Sequence, residues 1–230
     1  MLPPAAGDVV RKAAMKIPFA KYGYREFCVF SGGFALLAVL GYFVWQPLVV
    51  PFAVLAGFVA WFFRDPPRSV PQEPNLVVAP ADGTITDISE VENAEFIGAP
   101  ARRIGIFLSI FSVHINRAPC AGTVARISRH KGKFLNALRP ESSTDNESNS
   151  VGMILPGGRK ILVKQITGAI ARRIVCACKE GDCLARGEKF GMIKFGSRTE
   201  LYIPRDAPFD MAVKIGQKVK AGVTVMGVLK

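Results

Sequence analysis

Histidine and acidic residues are both scarce in this chain, and one long stretch carries no charge at all. Histidine occurs only at His114 and His130, so a centre built from several imidazoles is excluded. The 18 Asp and Glu are outnumbered by 30 Lys and Arg, a net charge of +12 that asks for an anionic partner. The basic residues are scattered, with no basic stripe interleaved with aromatics and no recognisable nucleic-acid module, so nucleic acid is not expected. The five cysteines are an odd number, which argues against a disulfide framework. Cys176, Cys178 and Cys183 lie close in sequence, but zinc wants four ligands and no histidine stands near them, so no metal is expected.

Residues 28–63 contain no charged side chain. A membrane-crossing helix needs roughly 20 apolar residues, so this run is long for one span and short for two. Gln46-Pro47 falls in its middle and Pro51 follows, and proline breaks or kinks helices. The pattern predicts two short apolar helices, about 28–45 and 48–63, joined as a hairpin. A secretory signal fits poorly, because the run starts late and no small-residue cleavage site follows "WFFRDPPR". Basic residues flank both ends: Arg11, Lys12, Lys16, Lys21 and Arg25 before, Arg64 and Arg68 after. Two cytoplasmic flanks fit a hairpin at the cytoplasmic face of the cell membrane, with anionic lipid headgroups as partner.

From about residue 76 the chain changes character. Short β-branched runs alternate with Gly, Pro and Asp turns, which predicts a β-rich sandwich or barrel-like domain over 64–230, after a basic segment 1–27 and the hairpin 28–63. Helix is expected only before and within the hairpin and near 134–138. "KEGDCLARGEKF" from Lys179 is echoed by "KIGQKVKAGVTV" from Lys214, as in lipoyl-like half-repeats, and "APADGTITDI" has the same flavour. The polar stretch 140–150 reads as a surface loop.

Chemistry has few places to reside. Asp82 in "APADGT", His114 in "FLSIFSVHINRAP" and Ser197 in "KFGSRTEL" are each ordinary alone. Together they supply a nucleophile, a base and an orienting acid. Ser197 is outside any G-x-S-x-G, which weakens a serine-hydrolase reading. The alternative target is the chain itself. An activated Ser197 hydroxyl can attack the Gly196 carbonyl, and β-elimination from the resulting ester, then hydrolysis, leaves a pyruvoyl group on the new N-terminus.

"FFRDPPR", "APADGTI", "FLSIFSVHINRAP", "HKGKFLNA", "DNES", "GAIARRIV" and "GEKFGMIKFGSRTELYIP" closely resemble the short, membrane-associated phosphatidylserine decarboxylases. The resemblance implies cleavage between Gly196 and Ser197 into a β chain 1–196 and an α chain 197–230. Ser197 would become the pyruvoyl cofactor, with Asp82 and His114 the relay that drives cleavage. The ketone would form a Schiff base with the lipid amine and draw electrons as carbon dioxide leaves, giving phosphatidylethanolamine. Two positions depart from the family pattern. Phe111 stands where some relatives have a second histidine, and Ser148 stands where an arginine follows Asn146-Glu147. Arg172, Arg173 and Arg198 are therefore the candidate phosphate contacts, with Asn146 beside them, and His130 is read as structural. The competing readings are a membrane-anchored biotinyl or lipoyl-type carrier using Lys194, a transport adaptor, and an archaetidylserine decarboxylase. Because the trio lies downstream of the hairpin, loss of residues 1–62 is expected to leave self-cleavage possible.

Overall fold

Four glycines punctuate the repeat, and each has a left-handed backbone: Gly181 (φ 91°), Gly187 (76°), Gly216 (84°) and Gly222 (72°). A β-carbon is strained in that region, so glycine is the residue that makes these turns. The computed structural model describes residues 19–170, 173–194 and 196–230. Its strands, in chain order, are β1 (Leu76–Val78), β2 (Gly83–Val91), β3 (Ala101–Leu108), β4 (Ile115–Arg117), β5 (Gly122–His130), β6 (Ser148–Ile154) and β7 (Lys160–Ile166). They continue with β8 (Arg173–Cys176), β9 (Cys183–Leu184), β10 (Lys189–Lys194), β11 (Ser197–Pro204), β12 (Phe209–Met211), β13 (Lys218–Val219) and β14 (Val225–Leu229).

Eight of these form one curled sheet in the order β13-β2-β3-β11-β7-β6-β5-β9. Two three-stranded sheets, β1-β14-β12 and β4-β10-β8, complete the β-rich domain. The repeat is visible as a pseudo-two-fold. The short repeat strands β9 and β13 close opposite edges of the large sheet, on β5 and β2. "APADGTITDI" from Ala79 has its mate in "APCAGTVARI" from Ala118. These segments cross reciprocally: Val78 N–H donates to the Pro119 carbonyl, and Arg117 N–H to the Pro80 carbonyl, both at 2.9 Å. Matching bulges fall between Ile85 and Asp87 and between Val124 and Arg126. Asp82 is a difference between the halves, since Ala121 occupies its place in the second.

β11 runs through the middle of the large sheet, between β3 and β7. Side chains alternate along a strand, so Ser197, Thr199, Leu201 and Ile203 share one face and Arg198, Glu200 and Tyr202 the other. Leu201 and Ile203 join the main apolar core with Ile85, Ile104, Ile106, Val151 and Val163.

The apolar run forms α1 (Tyr24–Val44) and α2 (Val49–Phe62), joined at Gln46-Pro47. The halves are unequal, unlike the two short helices expected. The 21 residues of α1 reach about 31 Å, enough to cross a bilayer, whereas the 14 of α2 reach about 21 Å. Phe43, Val44 and Trp45 at the tip are exposed, and at the root Phe62 and Phe63 are fully buried.

Two local expectations are corrected. Residues 134–138 form no helix; a single turn, α3 (Ser142–Asp145), follows instead. Nor is 140–150 a loose loop, because Ser142, Ser143, Asn146 and Asn149 are buried and bonded into the domain.

Candidate active site

Gly196 and Ser197 lie where β10 of a small sheet passes into β11 of the large one, a transfer that needs a sharp change of direction. Gly196 supplies it, with φ 69°. Its N–H donates to His114 Nε2 at 3.1 Å. An Nε2 that accepts leaves the ring proton on Nδ1, and Nδ1 is buried without a hydrogen-bond partner. The His114 ring lies against Phe62, centroids 4.4 Å apart. Burial pushes this imidazole down to about 4; the Ser112 backbone works against that fall and the Arg64 charge adds to it. A histidine in this state is neutral and able to take a proton at any pH above that value.

Ser197 is fully buried, and its Oγ has no hydrogen-bond partner. A buried hydroxyl is normally satisfied, so an orphan one residue after the glycine that binds the imidazole invites a chemical explanation. The Gly196 carbonyl is approached by Gly168, where a β-carbon would come within 2.4 Å of its oxygen. Behind Ser197 on the same strand face, a polar chain is fully enclosed. Asn116 Nδ2 donates to Thr199 Oγ1 (3.0 Å), Gln165 Nε2 to Asn116 Oδ1 (2.9 Å), and Asn149 Nδ2 to Gln165 Oε1 (2.9 Å).

Of the expected trio, His114 is brought to the Gly196–Ser197 junction, through the Gly196 N–H, and Asp82 is bonded elsewhere. Asp82 Oδ2 accepts from Arg68 at 2.7 Å, and Oδ1 accepts from the Ala221 N–H at 2.8 Å. With both oxygens engaged, Asp82 ties the "FFRDPPR" segment to the C-terminal repeat instead of holding the imidazole. Its influence on the ring is indirect: Asp82 and Arg68 both act electrostatically on Arg64, and Arg64 acts on His114.

The expected substrate contacts also change. Arg198 is buried, with Nε on Glu200 (2.7 Å), Nη1 on Thr86 (3.0 Å) and Nη2 on Asp87 (2.6 Å). Gly105 makes room for this guanidinium, since a β-carbon there would sit 2.2 Å from Nη2. A guanidinium so committed is a strut within the sheet, not a phosphate receptor. Asn146 is fully buried too, its amide bonded to the Leu135 backbone and the Thr167 carbonyl. Arg173 keeps an exposed side chain, paired with Glu26 at 3.2 Å. Arg172 lies outside the described residues. Lys194, which a carrier domain would present to solvent for biotin or lipoate, is buried and paired with Glu26 at 2.8 Å.

Sequence reasoning missed Phe62, Gly168 and Glu26. Glu26 carried a usable signal: it is the last charge before the uncharged run. Among the described residues no group of three or more His, Cys, Asp or Glu is gathered to hold a metal. Cys176 and Cys178 do share a face, sulfurs 3.5 Å apart, but the exposed Cys183 turns to Thr123 instead.

The family model described as phosphatidylserine decarboxylase matches residues 55–227. This chain belongs to the phosphatidylserine decarboxylase family. It is 50% identical over 211 residues to a phosphatidylserine decarboxylase proenzyme of Rhodopirellula baltica, covering 91% of this chain and 87% of the relative. The proenzyme of Magnetococcus marinus is 45% identical over 213 residues, with 92% and 95% covered. That of Symbiobacterium thermophilum is 46% identical over 203 residues, with 88% and 94% covered. Each of these relatives is named as a proenzyme.

Proposed function

We propose that this chain cuts itself between Gly196 and Ser197 and, once mature, decarboxylates phosphatidylserine to phosphatidylethanolamine at the cytoplasmic face of the cell membrane. The observation that carries this reading is the junction itself. A buried, unpartnered hydroxyl follows a left-handed glycine whose amide already rests on a neutral imidazole.

His114 Nε2 exchanges the Gly196 N–H for the Ser197 hydroxyl and takes its proton as Oγ bonds to the Gly196 carbonyl carbon. The Gly196–Ser197 C–N bond breaks, the proton passes to the departing nitrogen, and an ester remains. Loss of the Ser197 α-proton then expels the Gly196 carboxylate from the β-carbon. Water replaces the nitrogen of the resulting dehydroalanine, and ammonia leaves. The two products are a chain ending in Gly196 and a chain 197–230 that starts with a ketone and has no N-terminal amine.

The surroundings of residue 197 fit a pyruvoyl group: the position is buried, it faces Leu108 across β3, and the Thr199–Asn116–Gln165 chain stands behind it. When present, the group supplies an electron sink for loss of a carboxylate from an amino-acid headgroup. The chain's own residues bury the site, fix the strand around it and place His114 for proton transfer. Arg173 is the described candidate that retains an exposed guanidinium for the lipid phosphate. The hairpin would hold the catalytic domain at the bilayer, with the substrate lipid and the membrane surface as partners.

The test is purified protein on phosphatidylserine-containing vesicles, with no added pyridoxal phosphate or metal. Carbon dioxide and phosphatidylethanolamine should form with the wild type and not with Ser197→Ala. Activity that needs added pyridoxal phosphate, or that survives in Ser197→Ala, contradicts the proposal.

A further inference from the structure

The trio lies downstream of the hairpin in sequence but not in space. We propose that the root of the apolar hairpin completes the cleavage centre, with Glu26 and Phe62 acting as positioning residues for the Gly196–Ser197 bond. This inference rests on the self-cleavage reading above.

Two contacts link the hairpin root to the centre. Phe62, the last residue of α2, is fully buried with its ring against His114, tilted by 35°. His114 Nδ1 has no side-chain hydrogen-bond partner and Asp82 is engaged elsewhere, so on that side the orientation of the imidazole rests on packing against Phe62 and on the Ser112 backbone beside it. In the first turn of α1, the Glu26 carboxylate lies 2.8 Å from Lys194 Nζ and 3.2 Å from Arg173 Nη1. Arg173 and Lys194 are register partners across β8 and β10, two cations side by side. Lys194 is the last residue of β10, two positions before the bond to be cut, and its side chain is only 5% exposed. Removing the carboxylate would leave a buried ammonium next to a like charge. Its escape toward water would pull the strand end that delivers Gly196 to His114.

The root is itself rigidly seated. Ala20 N–H donates to the Phe63 carbonyl at 2.7 Å, and the Tyr22 hydroxyl to the Lys189 carbonyl at 3.1 Å. Gly23 lies so close to the Phe63 ring that a β-carbon would approach it to 2.2 Å. Residues 20–23, 63 and β10 are therefore tied to one another, and an undocked hairpin would loosen both the base and the bond.

The experiment follows cleavage of the full-length precursor over time, made by cell-free translation with vesicles of phosphatidylcholine and phosphatidylglycerol. Glu26→Gln should slow cleavage by about tenfold or more, and Glu26→Asp should recover most of the rate. Phe62→Ala should slow it and also move the acidic limb of the rate up by about one pH unit, because water reaches the imidazole. Arg64 is the charged group acting on that ring; Phe62 and the Gly196 amide, which also face it, do not titrate. Leu40→Ala, at the exposed end of the hairpin, should cleave as the wild type does. Wild-type rates in both Glu26→Gln and Phe62→Ala would overturn the inference and leave the proposed function standing. So would slowing without rescue by Asp and with an unmoved acidic limb, which signals general misfolding. A wild-type precursor that stays whole would overturn the self-cleavage reading instead.

Discussion

At the residue scale, the proposed centre depends on buried polar atoms that are left without hydrogen-bond partners. Ser197 Oγ and His114 Nδ1 are both buried without partners, while the Gly196 amide holds Nε2. His114→Ala should abolish cleavage, since His130, the other histidine, lies at the end of β5. Asp82→Asn should slow cleavage far less, because Asp82 bonds Arg68 and the Ala221 amide rather than the ring. Its cost should appear mainly as lost stability, about 1.5–3 kcal/mol for a charge-assisted bond, read by denaturant unfolding. Equal loss of cleavage in both variants would restore a direct relay. Gly168→Ala should block or strongly slow cleavage with the fold retained, because its methyl group would meet the Gly196 oxygen. Cleavage at the wild-type rate would show that this carbonyl can move freely. With its pKa at about 4, His114 should support a rate nearly flat from neutral pH down to about 5 and failing below about 4. A midpoint near 6.5 would mean that the ring is solvated. His114 and Ser197 could be found from residue type alone, but the detachment of Asp82 could not. A carboxylate's choice between an imidazole and an arginine depends on where the "FFRDPPR" segment returns in space.

At the scale of elements, β11 joins Ser197 to a buried ionic cluster. Glu200 accepts from Arg198 (2.7 Å), Tyr202 (2.6 Å) and Ser143 (3.1 Å), and Asp87 closes the cluster from β2. Burial raises the Asp87 carboxyl, but Arg198, with the Thr86 hydroxyl and Arg103, together outweigh it and hold the group below its ordinary range. The stabilisation from Asp87 is therefore full above its unfolded pKa, near 3.9, and is lost as pH falls through the lower folded value. Glu200→Ala should cost about 3–5 kcal/mol, because it leaves a buried guanidinium short of its partner. A loss under about 1 kcal/mol, measured by urea unfolding, would mean that the cluster relaxes around the gap. The strand was legible from "RTELYIP", whose alternation puts Arg198, Glu200 and Tyr202 on one face. Reading Arg198 as a phosphate contact failed because its acidic partner on β2 is more than a hundred residues away in the chain. The loop reading of 140–150 failed similarly, since polar side chains there are satisfied by the domain and not by water.

At the scale of the whole molecule, a pseudo-two-fold β-domain is joined to an apolar hairpin whose root touches His114, the imidazole of the proposed cleavage centre. The repeat was readable from its glycines, all four of which adopt the left-handed backbone that makes them necessary. The hairpin was readable from missing charge, but its docking was not, because an aromatic at the end of an apolar helix has the same sequence signature in lipid as against a histidine. High salt should leave the full-length protein with membranes, since apolar burial is not screened as headgroup attraction is. Release into the supernatant by salt alone would mean that α1 is not inserted.

The most direct test of the account is the intact mass of purified wild-type protein beside Ser197→Ala. The wild type should give two chains, 1–196 and 197–230, the second lighter by the mass of ammonia than its sequence requires and blocked to N-terminal sequencing. Ser197→Ala should give one uncut chain. A single wild-type chain, a free amine on residue 197, or a cut at the same bond in Ser197→Ala would contradict it.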